Sequence, residues 1–165
     1  MPASPATQLA GFLARFAPKI VANMKTSRTK LRRRLPHAHE LVYNYNHACV
    51  ISYGPTAKPY EAVCSLAAQA SGVSLYLSAK LPDPKKLLSG SGKLVRSLNL
   101  PDPAALDQPD VEALLAAAIK HAPVPFDSAL RPYLIIKSDS AKQRALRPAT
   151  SAARKSKIGN RKSKI

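Results

Sequence analysis

Tryptophan is absent from this 165-residue chain, and aromatic residues of all kinds make up only 5 % of it. A core built from such a chain is expected to be aliphatic. Cysteine is nearly absent too. Cys49 and Cys64 form no CxxC pair, sit in apolar runs that read as strands, and lack an adjacent cation to activate a thiol. Both are expected to be small buried side chains. Nothing in this usage points to an oxidising compartment, and a cytoplasmic protein is expected. No apolar run reaches the ~18 residues that would span a bilayer, so no membrane span is expected.

Acids are the third scarcity. Nine Asp/Glu stand against 26 Lys/Arg, for a net charge of +17. Residues 138–165 hold nine of the cations and one acid, Asp139, so nearly half the excess lies in about a sixth of the chain. Such charge attracts polyanions without selecting among them. The first 39 residues carry eight Lys/Arg and no acid, a composition shared with organellar transit peptides. Their apolar spacing runs unbroken into the rest of the chain, so a helix pair belonging to the domain is expected.

The periodicity outlines that domain. Leu9, Phe12, Leu13 and Phe16 share a face of a helix over about 8–16, after a flexible segment 1–7. Pro18 opens a second helix that runs to Leu35 and stops at Pro36. The pattern then turns extended. Strands are expected over 48–53, 62–68 and 73–79, the last two joined by Ser71-Gly72 as an antiparallel hairpin. A short helix is expected over 84–88, capped by Asp83, then a strand over 94–100. Val111, Leu114, Leu115, Ala118 and Ile119 mark the clearest helix, opened by Pro109. Residues 133–136 read as a last edge strand. Residues 138–165 lack periodicity and read as a basic disordered tail, leaving 8–137 as one domain.

Gly90-Ser91-Gly92-Lys93 resembles part of a phosphate-binding loop. That loop needs G-x-x-x-x-G-K-[ST] between a strand and a helix. Here Leu87 stands where the first glycine belongs, Leu94 replaces the hydroxyl, and the expected order is helix, glycines, strand. The motif reads as a helix stop with Gly90 in a left-handed conformation.

Several stretches, taken in order, resemble one family. LRRRLPHAHELVY (31–43), VISYGPTAK (50–58), VSLYLSAKLPDPKKLLSGSGKLVRSLNL (73–100), DQPDVEALLAAAIKHA (107–122) and PFDSALRPYLIIKSDSAKQRALRP (125–148) follow the pattern of YdhG-like domains, small bacterial domains of unknown function. The resemblance covers about residues 8–148. It implies an α+β fold: an antiparallel sheet of about five strands, with the N-terminal helix pair and the later helix packed on one face. Some relatives of this fold have been called frataxin-like iron chaperones. Iron would require grouped carboxylates, which the sequence lacks; Asp107, Asp110 and Glu112 come nearest, and compensation of a helix dipole accounts for them.

Two candidate sites follow. Tyr76 alternates out of phase with Leu75 and Leu77, so Tyr43 or Tyr53 would join it on the other sheet face, in a shallow pocket with Lys93 and Arg96. Polyanion contacts are assigned to Arg32, Arg33 and Arg34 on the second helix and to Lys142, Arg144, Arg147, Arg154, Lys155, Lys157, Arg161, Lys162 and Lys164 in the tail. His37, His39, Glu40 and His47 read as polar surface, His39 in the turn after Pro36; no metal, cofactor or catalytic set is expected. The expected function is a small non-catalytic binding or adaptor module for an unknown small ligand or protein. The alternative is a non-specific nucleic-acid-associated protein acting through its basic tail, and frataxin-like iron binding comes third.

Overall fold

A computed structural model describes residues 3–140. Helix α1 spans Pro5–Leu13 and α2 spans Pro18–Arg34. Strands β1 (His39–Asn44), β2 (Ala48–Gly54), β3 (Cys64–Gln69), β4 (Gly72–Ser78) and β5 (Val95–Leu100) follow. Helix α3 (Pro109–Lys120) then leads to β6 (Leu134–Asp139). The six strands form one sheet in the order β5-β4-β3-β2-β1-β6. β1 to β5 make an antiparallel meander, and β6 lies parallel to β1 after the chain has crossed the whole sheet through α3. The α+β architecture with three helices is the expected one. The sheet has six strands rather than five, and one parallel pair.

The additional strand is β1. Its residues facing the helices are Glu40, Val42 and Asn44, because they pair across the sheet with Tyr53, Ile51 and Cys49. Two polar side chains at inward positions hide the period-2 signal that marks a half-buried strand. α1 begins three residues earlier than expected, inside the segment read as flexible. Ser4 accepts from the Thr7 N–H and Pro5 occupies the first turn, which together fix that end. β6 continues to Asp139, two residues past the expected end of the domain. Residues 141–165, most of the expected tail, lie outside the described residues.

The expected helix over 84–88 is instead a turn. Lys86 has φ +53°, and the Asp83 carboxylate accepts from the N–H groups of Leu87 (2.8 Å) and Leu88 (2.9 Å). Those two amides are thereby taken from a helical ladder. Gly90 does have positive φ, +109°, but it follows a β-bridge between Ser89 and Ser97 rather than a helix.

One face of the sheet carries the core. Val42, Ile51, Tyr53, Leu66, Leu75 and Leu100 are fully buried there beneath Leu9, Met24 and Leu31 of the first two helices and Leu114 and Leu115 of α3. α2 lies across β3 and β4, with Met24, Ser27 and Leu31 inward. The other face is small and polar: Ser52 and Ser65 pair across strands with their hydroxyls 2.7 Å apart, and Tyr76 and Ser97 continue the row. Both cysteines are buried, as expected.

Candidate functional site

Helical spacing puts Arg28 and Arg32 four residues apart on one side of α2, beside the stripe that enters the core. β1 runs beneath this side and presents Glu40, which is 5 % exposed. Arg28 donates to both oxygens of Glu40, Nε to Oε2 at 2.8 Å and Nη2 to Oε1 at 2.9 Å. Tyr53, the cross-strand neighbour of Glu40, donates its hydroxyl to Oε2 at 3.0 Å. Arg32 Nε lies 3.8 Å from Oε1. A buried carboxylate thus holds one guanidinium in a fixed plane, and a second stands at its rim.

The electrostatics follow from this packing. The hydrogen bonds that Arg28 donates to Glu40 raise the Arg28 pKa against the opposing effect of burial. Burial first, and the charge of Glu40 second, push the Tyr53 hydroxyl well above its ordinary value, so it remains a donor.

Above the cluster opens a cleft of about 640 Å³ between α2, the turn after it, and the chain entering β6. Arg28, Arg32 and Arg33 line one wall with Glu40; Pro36, Pro132 and Tyr133 line much of the rest. Tyr133 is anchored at its backbone: its C=O accepts from the Glu40 N–H (2.8 Å), and its N–H donates to His39 Nδ1 (2.9 Å). The rings of His39 and Tyr133 are parallel, 5.4 Å apart.

The expected tyrosine pocket does not form. Register puts Tyr53 and Arg96 on the helix-covered face, since Tyr53 pairs with Cys64, Cys64 with Leu77, and Leu77 with Arg96. Tyr43 and Tyr76 share the other face but stand on β1 and β4, three strands and about 14 Å apart. Lys93 is exposed in the loop before β5, and Arg96 reaches back to the Gly92 carbonyl (3.3 Å). Strand alternation assigned Tyr76 its face, but strand order, which separates it from Tyr43, is not local information.

The basic set divides. Arg32 and Arg33 line the cleft. Arg34 turns the other way, donating to the Leu106 carbonyl, to Asp107 (3.1 Å) and to Glu112 (2.7 Å), so it ties α2 to α3. Lys30 also bonds Asp107, and that bond, with the lesser help of Arg34 and against the opposing effect of desolvation, holds the Asp107 carboxyl below its ordinary range. Lys142, Arg144, Arg147, Arg154, Lys155, Lys157, Arg161, Lys162 and Lys164 lie outside the described residues.

His39 is not in a surface turn: it opens β1 and is 5 % exposed. Its position after Pro36 concealed this, because β1 starts as soon as the helix has turned. Among the described residues no three His, Cys, Asp or Glu are grouped to hold a metal ion. Burial pushes the Cys49 thiol up to about 11 and the Cys64 thiol up to about 12, which leaves both protonated and unreactive near neutral pH.

The arginine cleft was not found from sequence, although one signal was present. Glu40 is the first acid in the chain, preceded by eight cations. A lone acid at an inward strand position after such a helix requires a cationic partner.

No protein-family model, curated protein or solved structure matches the chain.

Proposed function

We propose that this protein is a small binding module of the YdhG-like type, and that it holds an anionic group of its ligand in the arginine cleft. The observation that carries the reading is the bidentate Arg28–Glu40 pair at the cleft wall, with Arg32 and Arg33 beside it. Glu40 engages Arg28 at the base of the cleft wall, which leaves Arg32 and Arg33 to meet the ligand. Arg33 has no ion-pair partner among the described residues. Planar guanidiniums suit oxyanions, which they grip through paired N–H groups. Support for the family comes from the order of the sequence motifs, which include the segment 31–43 that builds this site.

Titration of pyrophosphate into the full-length protein at low salt tests the proposal by calorimetry. Saturable binding is expected, weakened about tenfold or more in the Arg32→Gln/Arg33→Gln pair. Absence of saturable heat in the wild type would sink it.

A second reading, non-specific association with nucleic acid through the tail, is favoured by charge: residues 141–165 contain nine Lys/Arg and no acid. Iron binding has no comparable observation in its favour.

A further inference from the structure

The cleft offers a ring surface as well as charge. Tyr133 is 62 % exposed, whereas the His39 ring lying parallel to it is buried. The tyrosine ring is thus offset against His39 and leaves much of its surface open. Backbone hydrogen bonds at its C=O and N–H fix the main chain of Tyr133 at the cleft, and the ring lies against His39. A flat aromatic surface kept exposed, beside Arg33 without an ion-pair partner and Arg32 only loosely paired to Glu40, matches a ligand that is planar at one end and anionic at the other.

We infer that the cleft takes a nucleoside phosphate, with the phosphate on Arg32 and Arg33 and the base stacked on the exposed ring of Tyr133. This rests on the anion-binding reading above and names its ligand class. Charge favours phosphate over carboxylate. The three arginines and Glu40 leave the cleft with two excess positive charges, which match a phosphate monoester, close to a dianion at neutral pH. Glu40 occupies both Arg28 donors nearest to it, so the phosphate falls to the outer two arginines. Pro36 and Pro132 supply apolar surface for the sugar and the edge of the base. The volume lies in the range of small-molecule sites. Stacking tolerates any base, so little selectivity among the four is expected.

Two sources share this chemistry, a free mononucleotide and a single strand of RNA or DNA. The test uses the full-length protein and four probes: ribose 5-phosphate, AMP, UMP and a ten-residue oligothymidylate. AMP and UMP are expected to bind about tenfold or more tightly than ribose 5-phosphate, the margin that one stacked base supplies. Tyr133→Leu is expected to erase that margin while leaving ribose 5-phosphate affinity within twofold; Tyr133→Phe is expected to keep it. Equal affinities for AMP and ribose 5-phosphate, or a margin that survives Tyr133→Leu, overturn the nucleoside inference and leave the anion site standing. Failure of all four probes to bind overturns both. Tighter binding of the oligomer than of UMP at physiological salt, lost in Tyr133→Leu, assigns the strand as the source, and the reverse order assigns the free nucleotide.

Discussion

Glu40 accepts three hydrogen bonds at once, two from Arg28 and one from Tyr53, at a site almost closed to water. A buried pair of this kind adds little net stability when intact but costs much when one charge is removed. Glu40→Gln is therefore expected to destabilise the protein by about 3 kcal/mol in urea unfolding. Tyr53→Phe removes one of three donors to that carboxylate and leaves the Arg28 pair intact, and is expected to cost about 1.5 kcal/mol. Similar losses in the two variants would contradict this picture. At the other end of β1, the Tyr43 hydroxyl is buried without a hydrogen-bond partner among the described residues, so Tyr43→Phe is expected to leave the melting temperature unchanged or raise it. His39 gives the pH dependence. Burial lowers its pKa, so the unfolded chain takes up the proton first. Stability is then complete above the ordinary histidine range and is lost as pH falls from ~6.5 towards the native value. Protonation also removes the Nδ1 acceptor that holds the Tyr133 N–H. Melting temperatures between pH 7.5 and 5 are expected to fall less steeply in His39→Gln than in the wild type; parallel curves would exclude His39 as the cause.

Helix α2 joins the core to the cleft. Its Leu31 is fully buried, one residue before Arg32. Leu31→Ala is expected to cost about 2–5 kcal/mol and to disturb the arginines with it. The glycine loop before β5 shows how an element departs from its local signal. Gly90 takes a conformation that side chains resist, and a Cβ on Gly92 would stand 2.5 Å from the Val95 carbonyl oxygen. Gly90→Ala is expected to cost about 1–3 kcal/mol in chemical unfolding. Gly92→Ala must displace backbone, and its signature is a shift of the Val95 and Arg96 amide resonances. Both glycines were legible as punctuation. The turn at Lys86 was not, because Pro-Lys-Lys-Leu-Leu after an aspartate is also a good helix start, and only the Asp83 contacts with Leu87 and Leu88 decide the matter. Helices α2 and α3 were legible because proline opens each of them and apolar spacing continues without interruption; α1 was legible by its apolar face, and its start at Pro5 was not.

Across the whole molecule, charge is divided between residues 1–140 and the last 25 residues, which carry nine cations and no acid. Under the nucleic-acid reading, removing 141–165 is expected to weaken binding of a random-sequence duplex more than tenfold at 50 mM salt and to flatten its dependence on salt. Unchanged affinity would clear the tail of that role. The cut belongs after Ser140, because a cut after Lys137 would take Ser138 and Asp139 from β6. No helix among the described residues is long and apolar enough to cross a membrane. The resemblance carried by its motifs implied the α+β class; the sequence by itself determined the apolar faces of the three long helices, most of the strands and the exclusion of a phosphate-binding loop at residues 90–93. These rest on periodicity and on turn residues, which act over a few positions. The tertiary structure alone decided that β6 lies beside β1, that Tyr43 and Tyr76 stand far apart, and that Arg28, Glu40 and Tyr133 meet at one cleft with Tyr53 buried beneath Glu40. Those residues come from α2, β1, β2 and the chain entering β6, and strand order and register, which no local pattern encodes, bring them together.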